Sequence, residues 1–171
     1  MNMQNLYYVF ETEFGWMTIS GDEGKISGLE LPKPTRSDAI SALLAGNSIE
    51  YIETNNDFSG EAERLISYFA GKPVEFQCEI DVPYASPFDL QVWETARQIG
   101  YGETRTYGWI ADTIGHPGAA RAVGSALGRN QVTIIVPCHR VVRTDGGLGG
   151  FNSGIEWKVR LLDLERTGKG I

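Results

Sequence analysis

Val132-Thr133-Ile134-Ile135-Val136-Pro137-Cys138-His139-Arg140-Val141 is the stretch on which the reading of this chain turns. Its first five residues are apolar or β-branched and read as a buried strand. Pro137 stops that strand and delivers a thiol at its end. A thiol is a useful nucleophile only as thiolate, and a neighbouring His or Arg with partial exposure lowers its pKa. A Cys-His pair by itself says little, because neighbours on a strand point to opposite faces. A cysteine after an apolar run is more often an inert core thiol. What singles out Cys138 is the sequence on both sides of it.

Downstream, Gly146-Gly147-Leu148-Gly149-Gly150 is a glycine-rich loop whose backbone can approach a ligand closely, without the lysine and helix start of a phosphate-binding loop. A last helix follows over 154–167, with Ile155, Val159, Leu162 and either Leu161 or Leu164 expected to face inward. Upstream, Phe88, Val92, Ala96 and Ile99 are spaced for one buried helix face. Thr106 is placed to cap a helix running to Ile114. Gly115-His116-Pro117-Gly118 is a turn, and a second helix covers 119–127. Helix, short glycine-containing turn, helix is the outline of a helix-turn-helix. That outline is also common in bundles with no nucleic-acid role.

Two prolines in the uncharged run Pro83-Tyr84-Ala85-Ser86-Pro87 mark a domain boundary. Before it, residues 6–31 alternate and are broken by Phe14-Gly15 and Asp22-Glu23-Gly24, the pattern of two or three antiparallel strands. Helices are expected over 37–45 and 59–70, the second burying Ala62, Leu65, Ile66 and Phe69, with a further strand over 72–82. Cys78 lies in that strand without a partner motif and is read as packing only.

The net charge of −7 argues against a nucleic-acid binder until it is divided by region. Residues 1–85 hold 5 Lys and Arg against 14 Asp and Glu, a net of −9, and residues 86–171 hold 10 against 8, a net of +2. Within 121–160 there are 6 basic residues against 2 acidic ones, a net of +4, so positive charge gathers around the cysteine. The chain shows no leader and no apolar run long enough for a membrane span. Two separated cysteines suit a reducing cytoplasm. With only His116 and His139 beside them, no metal-ligand cluster is expected, and no cofactor is implied.

The segment from Ser86 to Glu165 resembles the O6-alkylguanine-DNA alkyltransferases. The resemblance is carried, in order, by Phe88, Val92-Trp93, Ile99-Gly100-Tyr101-Gly102-Glu103-Thr104, Thr106-Tyr107, Ile110-Ala111, Ile114-Gly115 and Ala120-Arg121-Ala122-Val123-Gly124. It continues through Asn130, Pro137-Cys138-His139-Arg140-Val141-Val142, Leu148-Gly149-Gly150-Phe151, Lys158, Leu161-Leu162 and Glu165. It implies an α+β chain: a small, acidic N-terminal antiparallel-sheet-plus-helix supporting domain over 1–85, then a mostly helical, winged-helix-like domain over 86–171 that binds DNA and accepts the alkyl group.

The family reaction moves an alkyl group from O6 of a flipped guanine, with O4-alkylthymine a second candidate, to a cysteine that is not regenerated. By resemblance Cys138 is the acceptor, His139 draws its proton away through a water, and Glu165 orients His139. Asn130 ties the turn before Cys138. Tyr107 helps rotate the target phosphate and protonate guanine N3. The small-residue helix of Ala120, Ala122, Gly124 and Ser125 enters the minor groove, Arg121 fills the gap left by the flipped nucleotide, and Arg129 adds a DNA contact. Trp93, Leu127, Val141, Gly149, Phe151 and Asn152 are expected to form the pocket. Phe151, Asn152, Ser153 and Gln131 depart from residues common in the family, which bears on pocket width and not on the thiol. The implied partner is double-stranded DNA, met by a monomer. The alternatives are a lesion-binding protein without transfer, which the presence of Cys138 opposes, and a cysteine hydrolase, for which no oxyanion-hole motif is visible.

Overall fold

The computed structural model describes residues 5–45 and 49–169. Backbone contacts divide the chain into two compact units between Pro83 and Tyr84.

In the first unit β1 (Asn5–Thr12), β2 (Gly15–Asp22) and β3 (Lys25–Lys33) form an antiparallel meander. The turn at Gly15 has φ 123°, and a Cβ there would lie 2.4 Å from the Lys33 carbonyl oxygen, so a glycine is required. Two helices cover the sheet. Thr35 caps α1 (Arg36–Leu44) by accepting from the Asp38 N–H at 3.1 Å. After it comes a short β4 (Tyr51–Glu53), which pairs parallel with β1 and completes the order β3-β2-β1-β4. No alternation announces a strand of three residues. Next, α2 (Ser59–Phe69) buries Ala62, Leu65, Tyr68 and Phe69. Ile66, expected inside, is 38% exposed; Tyr68, edge-on to Phe69, takes the inward position.

The strand expected over 72–82 does not form. Ile80 makes an isolated bridge to Ile26, through Ile26 N–H to the Glu79 carbonyl and Asp81 N–H to the Ile26 carbonyl. Val74, Phe76, Cys78 and Ile80 are nevertheless half-buried, alternating with exposed neighbours. Period-two alternation reports an extended chain with one face covered; it does not report ladder hydrogen bonds.

In the second unit α3 (Pro87–Arg97) begins with a capping box: Ser86 accepts from the Asp89 N–H while the Asp89 carboxylate accepts from the Ser86 N–H. It buries Val92, Trp93 and Ala96. Thr106 caps α4 (Tyr107–Thr113) through the Trp109 N–H at 3.0 Å. A turn through Gly115 and Gly118 leads to α5 (Ala120–Gly128), with Val123, Ala126 and Leu127 buried. His116 is exposed on that turn, its ring edge-on to Phe88. Two short strands, β5 (Arg105–Thr106) and β6 (Val141–Val142), pair in parallel.

The last helix, α6 (Ile155–Thr167), is rotated from expectation. Ile155 and Val159 are exposed and Leu162 is half-buried, whereas Lys158, Leu161, Leu164 and Glu165 are buried. A stripe chosen by hydrophobicity alone misses this face because two of its four residues are charged.

Candidate active site

The run 132–136 is no strand. It folds into a fully buried turn closed by the Val136 N–H to the Val132 carbonyl at 2.9 Å. Ile134 sits at φ 78°, where a β-branched residue costs on the order of 1–3 kcal/mol. Asn130 sustains that strain. Its Oδ1 accepts from the Val132 N–H at 2.9 Å, and its Nδ2 donates to the Val136 carbonyl at 3.1 Å. The same amide donates to Cys138 Sγ at 3.2 Å. One side chain thus holds both ends of the turn and presents an N–H to the sulfur.

Cys138 opens a single 3₁₀ turn with His139 and Arg140. Burial pushes its thiol pKa up. Opposing that are the Asn130 N–H, the charge of Lys158 and the backbone N–H groups of Cys138 and His139. The sequence neighbours expected to activate the thiol turn elsewhere. His139 Nε2 lies 2.6 Å from Glu165 Oε1, with the imidazole wholly buried. Arg140 donates to both Glu165 oxygens, at 3.0 and 3.2 Å from Nε, and to the Ile99 carbonyl at 2.6 Å. The Gly102 N–H also donates to the carboxylate, at 2.9 Å.

Burial disfavours the Glu165 charge, but the bonds from His139 and Arg140 outweigh it and hold its pKa at about 2. Burial lowers the His139 pKa, against the pull of Glu165, so the imidazole is neutral and donates Nε2–H to the carboxylate. That tautomer leaves a lone pair on Nδ1, the acceptor a departing thiol proton needs.

Lys158 enters from α6. Its ammonium donates to the Val141 carbonyl at 2.6 Å and the Gly150 carbonyl at 3.3 Å, and burial pushes its pKa down to about 8. Cys138 opens into a pocket of about 550 Å³ bounded by Tyr107, by Ala120, Gly124, Leu127 and Gly128 of α5, and by Arg143 and residues 149–152. Among the described residues no group of three or more His, Cys, Asp or Glu side chains is placed to hold a metal ion.

Residues 87–167 match the family model described as 6-O-methylguanine DNA methyltransferase, DNA binding domain, and residues 5–82 match its ribonuclease-like domain. A methylated-DNA–protein-cysteine methyltransferase of Mycolicibacterium paratuberculosis is 39% identical over 94% of this chain and 92% of its own. A crystal structure of Mycobacterium tuberculosis OGT in complex with DNA has a TM-score of 0.81 and 38% identity, covering 96% of this chain and 95% of that one. An O6-methylguanine-DNA methyltransferase structure from Pyrococcus kodakaraensis gives 0.73 at 27% identity, over 93% and 98%. The chain belongs to the 6-O-methylguanine DNA methyltransferase family.

Of the residues that family resemblance singled out, Cys138, Tyr107, Ala120, Gly124, Leu127, Gly149, Phe151 and Asn152 border the one pocket. Two expected pocket residues stand apart from it. Trp93 is buried in α3 and donates its indole N–H to the Ala126 carbonyl at 2.9 Å, tying α3 to α5. Val141 has no exposed side chain and contributes only the carbonyl that Lys158 binds. Both are apolar enough to be claimed by the core, which is a stronger pull than the pocket.

On α5, Arg121, Ala122 and Ser125 are exposed, and the Ser125 hydroxyl donates to the Arg121 carbonyl. Arg129 is drawn to Asp89 at 2.6 Å, bracing the end of α5 against the start of α3. Arg140, Arg143 and Gly128 were missed as site residues. The spacing of Lys158 and Glu165, seven apart and two turns of one helix, was a legible signal that both share a face.

Gly149 fits this family member's pocket tightly. It has φ 71°, and a Cβ there would come within 2.4 Å of the Tyr107 hydroxyl and 2.8 Å of its ring. Gly149→Ala must therefore displace the tyrosine from its place in the wall. The reaction rate with free O6-benzylguanine is expected to fall about tenfold or more, as a small misplacement at a reacting site can cost. An unchanged rate would show that Tyr107 moves without consequence.

Proposed function

We propose that this protein repairs O6-alkylguanine in double-stranded DNA by one irreversible transfer of the alkyl group to Cys138. The Cys138 thiol proton passes through a water to neutral His139, which Glu165 holds in orientation. The sulfur attacks the alkyl carbon as the bond from that carbon to O6 breaks. The electron pair of that bond stays on the guanine, which takes up a proton with help from the Tyr107 hydroxyl. A thiol and an alkyl ether become a thioether and guanine, with no cofactor needed.

The observation that carries this reading is the sulfur itself, held by Asn130 at the floor of a pocket one of whose walls is the small-residue helix α5. A buried sulfur of this kind can reach a base taken out of the stack, not a base within the duplex. We assign DNA binding and transfer to residues 86–171, and a supporting role to the acidic residues 1–85. A monomer working in the cytoplasm suits Cys78 and Cys138, neither of which is held in a disulfide. No helix among the described residues is long and apolar enough to cross a membrane.

The test is intact mass after incubation with excess DNA containing O6-methylguanine, with peptide mapping. One added methyl on Cys138, saturating at one per chain, is expected. No mass change with selective retention of the damaged DNA would favour a lesion binder instead.

Exposed Arg121 is assigned the gap left by the flipped nucleotide. Arg121→Ala is expected to slow repair of duplex DNA by about tenfold or more while leaving reaction with free O6-benzylguanine within about twofold, because a free base needs no flipping. Equal losses on the two substrates would remove that role from Arg121.

A further inference from the structure

By resemblance Arg129 adds a DNA contact, but in the fold Asp89 holds its guanidinium. Arg129 Nη2 donates to Asp89 Oδ1 at 2.6 Å and Nε to Oδ2 at 3.3 Å. The arginine side chain is 55% exposed, the aspartate only 4%. Ser86 also donates to Oδ2, from its N–H at 3.1 Å and its hydroxyl at 2.9 Å. Burial disfavours the Asp89 charge, but the bonds from Arg129 and Ser86 outweigh it and hold its pKa below the ordinary value. A cation matched in this way has little charge left for a phosphate, and moving it would strand a buried carboxylate.

That ion pair sits next to the device that presents the sulfur. Farther back, α5 is fixed to α3 where the Ala126 carbonyl accepts the Trp93 indole N–H at 2.9 Å. Beyond Ala126 the helix ends, and helix ends fray unless something ties them. The Arg129 N–H reaches the Ala126 carbonyl at 3.2 Å, and the Asn130 N–H reaches the Leu127 carbonyl at 3.2 Å. Asn130 then closes the strained turn at Ile134 and donates to Cys138 Sγ at 3.2 Å. A side chain can hold a strained turn only where its own backbone is held. Arg129 is the residue before Asn130, and its side chain is bonded across to α3.

We propose that Asp89 and Arg129 are a positioning pair for alkyl transfer, clamping the end of α5 to the start of α3 so that Asn130 holds the Cys138 sulfur in place. Arg129 then makes no phosphate contact. The proposal rests on the reading of Cys138 as alkyl acceptor. The clamp acts on the sulfur more than on the outline of the pocket, because Ala120 and Gly124, which line it, precede the Trp93 anchor on α5.

The experiment is the single-turnover reaction with free O6-benzylguanine, resolved into a limiting rate and a half-saturating concentration, for wild type, Asp89→Asn, Arg129→Gln and the double variant. Affinity of wild type and Arg129→Gln for an undamaged DNA duplex is measured against salt in parallel. The limiting rate is expected to fall about tenfold in each single variant, with the half-saturating concentration within about twofold. The double variant is expected to be no slower than either single one, because the two residues act as a unit. The salt slope of Arg129→Gln is expected to match that of wild type, whereas a lost phosphate contact would reduce it by about 0.9. A reduced slope, a limiting rate that holds within about twofold, or losses that multiply in the double variant each overturn the proposal. If Asp89→Asn does not fold for want of its cap on α3, Arg129→Gln decides alone. A wild type that gains no benzyl group on Cys138 by mass overturns the acceptor reading, and this proposal with it.

Discussion

Cys138→Ala is expected to reduce alkyl transfer by at least about four orders of magnitude, as loss of a nucleophile does, while binding to duplex DNA persists. The only other cysteine, Cys78, lies in the first unit, on the extended segment that follows α2. Nothing else bordering the pocket is a comparable nucleophile at neutral pH, since burial keeps the Tyr107 hydroxyl protonated. The substitution should be mild for the fold. Asn130 keeps its bonds to Val132 and Val136 when the sulfur is gone, so the strained turn at Ile134 stays closed. The exposed face of α5, with Arg121, Ala122 and Ser125, is untouched. Mass spectrometry and a DNA-binding titration on the same preparation separate the two effects. Loss of binding along with transfer would make Cys138 a structural residue and remove the basis for the proposed reaction.

Glu165→Gln is expected to cost about 3–5 kcal/mol of stability, because it leaves the buried Arg140 without its counter-charge. The carboxylate accepts from His139, from two Arg140 nitrogens and from the Gly102 N–H. An amide offers one acceptor oxygen and turns two N–H groups toward a guanidinium or an imidazole already using its donor. The pH dependence follows from the depressed pKa of about 2, against an ordinary value of 4.5. The stability this carboxylate contributes is fully present above about pH 4.5 and is lost as pH falls toward 2, because the unfolded chain takes up the proton first. Urea unfolding at pH 7 and at pH 3 should show a smaller difference in the variant than in the wild type. Identical differences would mean that the carboxylate does not carry the acid sensitivity, whatever the cost of the substitution at pH 7.

The helices of the second unit were legible because their caps are written locally: Ser86 with Asp89 and Thr106 with the Trp109 N–H lie within one turn of the residues they serve. The meander was legible for a similar reason, as tight turns at Gly15 and Gly24 interrupt strict alternation. Failures occurred where partners are distant or where a pattern has two meanings. The run 132–136 has strand composition, yet its backbone turns because the Asn130 amide accepts from the Val132 N–H and donates to the Val136 carbonyl. The inward face of α6 was misread because Lys158 and Glu165 are charged, and only bonds from β6, the glycine loop, Arg140 and His139 make their burial tolerable.

The sequence by itself determined the α+β class, the family and the cysteine, because these rest on residue types at fixed spacings along the chain. Which groups act on that cysteine was decided only by tertiary structure. His139 and Arg140 are its neighbours in sequence yet both bond to Glu165, whereas Asn130 donates to the sulfur from eight residues away and the charge of Lys158, twenty residues on, favours its thiolate. The Gly102 N–H that steadies Glu165 is 63 residues from it. Hydrogen bonds act over about 3 Å and pKa values answer to burial and nearby charge. Neither distance is a property of the chain before it folds.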